Sequence, residues 1–219
     1  MVDLIRGLTA ETVRVNLERV QERIADAGRD PAEVEILAAV KYLPMDELPA
    51  LAEGGVTVVG ENRAQELVAK SEAVPGRFTW DFIGQLQSRK VRDLVGRVRY
   101  IHSVASDSAL AQLARYGTPE TRVMIEVNVA GDAGKSGIAP AELRSFLERC
   151  PVEVVGLMTM PPLAAAAEDS RPYFAALRAL ADDHGLSQLS MGTSQDYPVA
   201  VSEGATIVRL GSILYASAS

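Results

Sequence analysis

The pattern of apolar and polar positions predicts a helix near the start of the chain. Apolar residues recur at alternating spacings of four and three, at Val13, Leu17, Val20, Ile24 and Ala27. This spacing places them on one face of an amphipathic helix. Gly28 is a suitable helix stop. We therefore predict an extra N-terminal helix over residues 9–27, ahead of the repeating part of the chain.

Short strand-like runs then alternate with helix-like stretches. The strand-like runs lie at 35–40, 56–60, 79–83, 98–102, 122–128, 152–158, 187–191 and 206–210. The helix-like stretches lie at 45–53, 62–73, 107–116, 140–149, 171–183 and 195–203, with a shorter one near 87–95. This alternation predicts an α/β protein, and eight units indicate a (β/α)₈ TIM barrel. An open doubly wound sheet is the alternative, and it requires a reversal of strand order that the pattern does not reveal.

Length and composition fit one barrel. The chain has 219 residues, 47% of them hydrophobic. A barrel of this class typically has about 250 residues and needs at least about 200, so this length is enough for one barrel and little else. We therefore expect a single domain over residues 1–219. The net charge of -7 argues against partners that need basic patches, namely nucleic acid and anionic membranes.

Cysteine and histidine are scarce. Cys150 is the one cysteine, so we expect no internal disulfide, and with two histidines we expect no zinc site. The N-terminus lacks an apolar signal core, and no apolar run approaches the ~18 residues of a membrane span. We expect a cytoplasmic protein.

Lys41 stands at the end of the first predicted strand, directly after the apolar residues 36–40. In a barrel of this kind the active site lies at the carboxyl ends of the strands. If Lys41 is buried, desolvation lowers the pKa of its ammonium and provides a free amine that can attack an aldehyde. The alternative, which the strand pattern alone favours, is a lysine that extends into solvent.

Arg209 lies within the apolar run of the last predicted strand. A buried guanidinium can only donate hydrogen bonds and needs a partner, which is either a carboxylate such as Glu61 or a ligand. An arginine that faces a pyridine nitrogen leaves that nitrogen unprotonated. Such an arrangement suits a carrier or a racemase better than a transaminase.

The loops after strands 7 and 8 are where such barrels commonly bind phosphate. They contain Gly192-Thr193-Ser194 and Gly211-Ser212, which combine close backbone approach with hydroxyl donors. We expect the helix that begins near Gln195 to add its N-terminal dipole. A serine before a helix is more often only an N-cap, so either loop alone is weak evidence.

An ordered set of motifs runs through nearly the whole chain. It comprises Leu37-Ala38-Ala39-Val40-Lys41, Gly60-Glu61-Asn62-Arg63, Phe82-Ile83-Gly84, Ile101-His102-Ser103-Val104, Val127-Asn128-Val129, Lys135-Ser136-Gly137, Gly156-Leu157-Met158-Thr159, Leu189-Ser190-Met191-Gly192 and Val208-Arg209 with Gly211. This set resembles the YggS/PROSC family of pyridoxal 5′-phosphate (PLP) homeostasis proteins. That family shares the barrel of the alanine racemase N-terminal domain.

The resemblance implies a barrel like PLP fold type III that holds PLP as a Schiff base on Lys41. The residues implied in cofactor binding are Lys41, Asn62, Met158, Ser194, Arg209, Gly211 and Ser212. Ser194, Gly211 and Ser212 would hold the phosphate, Arg209 would face the ring nitrogen, and Asn62 and Met158 would lie near the ring. The implied function is that of an intracellular carrier or buffer without catalytic turnover or metal. Apo PLP-dependent enzymes are the implied partners, and we expect a monomer.

Three positions depart from the family pattern. Asp81 replaces the usual histidine of a Trp-His-Phe motif, Arg89 stands where asparagine is expected, and Thr193 replaces a usual methionine. The departures at Arg89 and Thr193 lie near the cofactor mouth. We expect Thr193 to add a hydroxyl to the phosphate loop.

Two enzyme classes are alternatives to a carrier. An amino-acid racemase needs an acid or base on each face of the cofactor. Similar racemases take the second base from a further domain, which we do not expect because the chain ends at Ser219. Tyr42 or His102 could substitute for that base. The other alternative is a lysine-dependent aldolase, whose lysine usually sits on a later strand than that of Lys41.

Overall fold

The first helix forms where the apolar spacing predicts it. In the computed structural model, which describes residues 4–162 and 166–216, helix α1 spans Ala10–Asp26. Thr9 caps this helix, because its side chain accepts a hydrogen bond from the backbone N–H of Thr12. The cap satisfies one of the donors that a helix start leaves free. The predicted N-terminal helix is therefore confirmed.

Parallel strands form a closed barrel in chain order, and β8 pairs back to β1. The strands are β1 Glu35–Ala39, β2 Val58–Glu61, β3 Thr79–Phe82, β4 Tyr100–Val104, β5 Arg122–Glu126, β6 Glu153–Met158, β7 Gln188–Thr193 and β8 Ile207–Leu210. The TIM barrel prediction is confirmed, and the open doubly wound alternative is wrong because the sheet has no free edge.

Helices connect successive strands. They are α2 Leu48–Glu53, α3 Ala64–Ala73, α4 Val91–Leu94, α5 Asp107–Tyr116, α6 Leu143–Arg149, α7 Arg171–Asp183 and α8 Tyr197–Ser202, and α9 Ser212–Tyr215 follows β8. Most bounds agree with the sequence prediction to within about three residues. The shorter stretch predicted near 87–95 also forms, as a 3₁₀ turn at Ser88–Lys90 that leads into the single turn of α4.

Apolar side chains pack in two layers. The larger cluster includes the buried residues of α1 and of most other helices. The smaller cluster joins residues from five different strands, namely Leu37, Val58, Met124, Met158 and Ile207. Alternate residues of a strand point to opposite faces of the sheet, so this second cluster lies inside the barrel. The interior is thus packed with side chains, as in other TIM barrels.

Candidate functional site

Lys41 lies in a turn just beyond β1. Alternation along the strand places Leu37, Ala39 and Lys41 on the face that lines the barrel interior. Lys41 is exposed, so the alternative of a lysine that extends into solvent, which the strand pattern favours, is confirmed. The physical reason is that β1 ends at Ala39 and the chain leaves the barrel before the lysine. Its ammonium lies 4.9 Å from the centroid of the Tyr42 ring.

A buried ion pair fixes the strand end beside Lys41. The Lys70 ammonium, on α3, lies 2.6 Å from a carboxylate oxygen of Glu61 and donates to the carbonyl of Val40 at 2.7 Å. The two side chains are 4% and 1% exposed. Glu61 is therefore the partner of Lys70, and the alternative that pairs it with Arg209 is wrong. The sequence carried one signal for this pair, since Lys70 falls on the same buried stripe of α3 as Leu67.

Arg209 is buried in β8 and has acceptors other than carboxylates. Its NH1 group donates to the carbonyl and the hydroxyl of Ser190, both at 2.6 Å. NH2 donates to the carbonyl of Thr159 and contacts the sulfur of Met160, both at 2.9 Å. Burial lowers the pKa of Arg209 to about 10, although the nearby charge of Glu126 opposes that shift. These bonds use the two terminal nitrogens, which leaves the Nε–H for another acceptor.

The ends of β7 and β8 meet the end of β1. The backbone N–H of Gly211 donates to the hydroxyl of Ser194 at 3.2 Å. A Cβ atom placed on Gly211 would lie 3.8 Å from the carbonyl oxygen of Ala39. The Tyr215 hydroxyl donates to that same carbonyl at 3.1 Å. Because Ser212 directly follows Gly211, the three residues predicted to hold a phosphate lie together beside the strand that leads to Lys41.

Thr193 does not contribute a free hydroxyl to this loop. Its hydroxyl and its backbone N–H both donate to Asp196, at 3.0 and 2.7 Å. The expectation that Thr193 adds a phosphate donor is therefore wrong, because the carboxylate already accepts both bonds. Helix α8 begins at Tyr197, two residues after the predicted start near Gln195, with Asp196 at its N-cap position.

Asn62 and Met158 lie at different depths. Asn62 follows β2 and is partly exposed, and its backbone packs so closely on Gly84 that a Cβ there would lie 2.1 Å from the Asn62 oxygen. Met158 is buried in the interior cluster and pairs in register with Ser190. The position of each near a cofactor ring stays a prediction.

A polar chain inside the barrel was missed by sequence reasoning. His102 Nε2 lies 3.0 Å from a carboxylate oxygen of Asp81, and His102 Nδ1 lies 2.8 Å from the Ser190 hydroxyl. All three residues are fully buried. The period of two along β3 and β4 could have indicated that these polar side chains point inward. Both ring nitrogens of His102 are bonded in the interior, so this residue is not available as the second base of a racemase.

A cavity of about 690 Å³ lies beside the mouth of the barrel, and its lining includes Lys135, Met160, Thr193 and Asp196. Met160 connects this cavity to Arg209 through the contact of its sulfur. Within residues 4–162 and 166–216, no helix is both long and apolar enough to cross a membrane. The same residues contain no group of three or more histidine, cysteine and acidic side chains that could hold a metal ion.

The barrel is that of a known class. The family model of the alanine racemase N-terminal domain matches residues 10–219. An alanine racemase structure from Corynebacterium glutamicum superimposes with a TM-score of 0.71 at 19% identity, over 99% of this chain and 64% of that one. This likeness concerns the fold.

Closer relatives identify the particular family. The chain is 40% identical over 213 residues to the pyridoxal phosphate homeostasis protein of Aquifex aeolicus, which covers 91% of this chain and 93% of the relative. The structure of PipY from Synechococcus elongatus with PLP bound superimposes with a TM-score of 0.76 at 31% identity, over 90% of this chain and all of that one (100%). The chain belongs to the YggS/PROSC family of pyridoxal phosphate homeostasis proteins.

Proposed function

We propose that this protein binds PLP through Lys41 and acts in intracellular PLP homeostasis as a carrier or buffer. The observation that carries the proposal is the convergence of Lys41, the Ser194–Gly211–Ser212 loops and Arg209 at the carboxyl ends of β1, β7 and β8. These groups offer an amine, a set of hydroxyl and N–H donors, and a buried cation. An amine can bond to the aldehyde of PLP, hydroxyl and N–H donors can bind its phosphate, and a guanidinium can donate to its ring nitrogen.

The residues present fit the cofactor. The Arg209 guanidinium keeps an Nε–H that its four bonds inside the barrel do not use. Arg209 pairs in register with Leu37 inside the barrel, and Lys41 lies beyond the carboxyl end of the same strand, β1. The space between them is therefore at the mouth, above the packed interior. When bound, PLP supplies an aldehyde that bonds reversibly to amines.

Each group of this chain has a separate task in the proposal. The Lys41 amine provides the covalent attachment, and its exposure lets the cofactor enter and leave. Ser194, Gly211 and Ser212 bind the phosphate by donating hydrogen bonds. Arg209 donates a hydrogen bond to the ring nitrogen. Because a guanidinium cannot accept a hydrogen bond, the ring nitrogen must be the acceptor and therefore remains unprotonated.

A carrier fits these residues better than a racemase. A ring nitrogen without a proton makes the ring a weak electron sink, which argues against a transaminase but is compatible with a carrier or a racemase. His102, one of the two candidates for a second base, is bonded on both sides inside the barrel. The proposal includes release of PLP to apo PLP-dependent enzymes and a monomeric, single-domain, cytoplasmic protein.

An absorbance titration with PLP tests the proposal. We expect the wild type to develop the visible band of lysine-bound PLP, and we expect Lys41→Ala to lack it. Lys41→Arg keeps the positive charge but cannot form the covalent bond, so it separates attachment from charge attraction. Lys90→Ala is the matched control, because the ammonium of that lysine lies 3.4 Å from the Asp93 carboxylate, with which it pairs.

Two further assays separate a carrier from an enzyme. The loaded wild type should restore activity to an apo transaminase and should not racemise alanine. If the wild type racemises alanine and Lys41→Ala does not, the protein is an amino-acid racemase and the carrier function is refuted. A visible band that persists in Lys41→Ala would refute the attachment site.

A further inference from the structure

A continuous chain of polar contacts runs through the barrel interior and ends on Arg209. It begins at Glu35, whose carboxylate pairs with Arg99 at 2.5 Å, and Arg99 in turn pairs with Asp81 at 2.6 Å. Asp81 contacts His102, which contacts Ser190, and Ser190 accepts from Arg209. The chain therefore links the amino end of β1 to the guanidinium at the mouth.

The direction of the hydrogen bonds follows from the charges of Asp81 and His102. Burial raises the pKa of Asp81, but the bonds from His102 and Arg99 outweigh it and hold that pKa below its ordinary value. Burial lowers the pKa of His102, and the charge of Arg209 acts in the same direction. A neutral imidazole beside a carboxylate carries its proton on the nitrogen that faces the carboxylate, which here is Nε2.

The tautomer of His102 determines how Ser190 can bond. With the proton on Nε2, Nδ1 accepts the Ser190 proton, and the lone pairs of that hydroxyl are left for the Arg209 NH1 group. With the proton on Nδ1, the hydroxyl receives two donors, from His102 and Arg209, and its own proton needs another acceptor. The first arrangement satisfies every group in the chain, and unsatisfied polar groups are costly in a dry interior.

We propose that Asp81, His102 and Ser190 are positioning residues that hold the Arg209 guanidinium in the orientation that leaves its Nε–H for a ligand at the barrel mouth. This inference rests on the proposed function, because the ligand is the ring of PLP. Asp81 acts at a distance, through the tautomer of His102 and the hydroxyl of Ser190. Arg209 alone touches the cofactor.

The carboxylate of Asp81 suits a positioning role towards His102. It stands in Trp80-Asp81-Phe82, where the resemblance leads one to expect histidine, and its side chain is 0% exposed. Asp81 accepts bonds from Arg99, from the backbone N–H of Tyr100 and from His102. A carboxylate at this position can accept from all three, whereas a neutral amide in its place has only one oxygen.

Nitrogen NMR of the His102 ring in the full-length protein without ligand is the first test. The chain contains two histidines, so His184→Gln assigns the spectrum. The wild type should show a neutral ring with the proton on Nε2. In Asp81→Asn, the amide can donate to Nε2, and a substantial fraction should shift to the Nδ1–H form. A charged ring or an Nδ1–H ring in the wild type would overturn the proposal.

PLP titration of Asp81→Asn, Ser190→Ala and the double variant is the second test. Each single change should weaken PLP binding by roughly tenfold, which is the usual scale for a lost hydrogen bond to a charged group. The double variant should bind PLP about as tightly as whichever single variant binds it less tightly, because both changes break the same chain of hydrogen bonds. Ser103→Ala is the matched control, since Ser103 is as buried as the chain but donates to the carbonyl of Gly84.

The two tests distinguish this proposal from the function on which it rests. Independent, additive losses, or a Ser190→Ala variant that binds PLP like the wild type, would reject the positioning role while the carrier function stands. A wild type that takes up no PLP would reject the carrier function and the cofactor role of the chain together. The NMR result would then still report whether the hydrogen-bond chain exists.

Discussion

Lys70 and Glu61 show how a single buried charge can shape the site. Their ion pair is almost fully buried and also holds the carbonyl of Val40, one residue before Lys41. Removing one partner of such a pair leaves an uncompensated charge in a dry environment, whereas neutralising both removes that penalty. The pair therefore connects the stability of the fold to the geometry at Lys41.

We expect Lys70→Met to lower the free energy of unfolding by about 3–5 kcal/mol, because Glu61 would stay buried and charged without its partner. The double variant Lys70→Met/Glu61→Gln should recover much of that loss. Urea unfolding of the three proteins measures the difference. Equal stabilities of the single and double variants would show that the ion pair is not what the Lys70 side chain contributes.

The buried His102 and Asp81 predict a sensitivity to acid. Both have a folded-state pKa below the ordinary value, so the unfolded chain binds more protons than the folded one in acid. The His102 contribution to stability is complete above pH 6.5, the ordinary value, and is lost as the pH falls towards the folded pKa. The Asp81 contribution is lost in the same direction, below pH 3.8.

Urea midpoints at about pH 7 and pH 5 check this prediction. The wild type should lose more stability between these two pH values than His102→Gln, which has no group that titrates at this position. A wild type and variant with parallel pH profiles would contradict a neutral buried His102.

At the scale of elements, α1 supports the last turn of the chain. The side-chain amide of Asn16 donates to the carbonyls of Leu214 and Ala216, at 3.1 and 2.9 Å. Leu214 lies in α9 and Ala216 follows it, and this helix starts at Ser212, one of the residues proposed to bind the phosphate. The N-terminal helix thus holds the segment that follows the proposed phosphate site from outside the barrel.

We expect Asn16→Ala to lower the free energy of unfolding by about 1–3 kcal/mol, because the buried carbonyl of Leu214 and the carbonyl of Ala216 both lose their donor. Hydrogen exchange should rise in residues 212–216, and PLP binding should weaken. Arg19→Ala, on the exposed side of α1, is the control and should change neither. Unchanged exchange in α9 would show that the loop does not depend on α1.

The periodicity of the sequence predicted the elements well, because helix and strand spacings are local properties. Contacts between residues that are distant in the sequence could not be predicted in the same way. The apolar run up to Val40 left open whether Lys41 is buried or extends into solvent, and the end of β1 at Ala39, which exposes the lysine, became apparent only in the structure. Likewise, the serine and threonine loop after β7 suggested free hydroxyls, and the Asp196 carboxylate that binds Thr193 became apparent only in three dimensions.

At the scale of the whole molecule, closure of the barrel followed from counting eight strand–helix units. The polar chain from Glu35 to Arg209 could not be predicted in this way, because its members come from five strands or strand ends and meet only across the interior. The candidate site was predictable as a set of strand ends, whereas the partners of its charged groups were not. Ion pairs depend on which side chains face each other after closure.

We expect PLP to stabilise the whole domain in one step. A ligand at 100 times its dissociation constant adds about 2.7 kcal/mol to the free energy of unfolding. For a chain of this size that corresponds to a rise of roughly 5–10 °C in the midpoint. Fluorescence of Trp80, the one tryptophan, and circular dichroism should shift together. Two separate transitions would contradict a single domain.

Covalent attachment of PLP at Lys41 is the central claim, and borohydride trapping followed by peptide mass spectrometry tests it most directly. The chain has four lysines, at positions 41, 70, 90 and 135, so the possible attachment sites are few. The account predicts one PLP group per chain, reduced onto the peptide that contains Lys41, and none in Lys41→Arg. Label on another lysine in the wild type, with Lys41 unmodified, would contradict it.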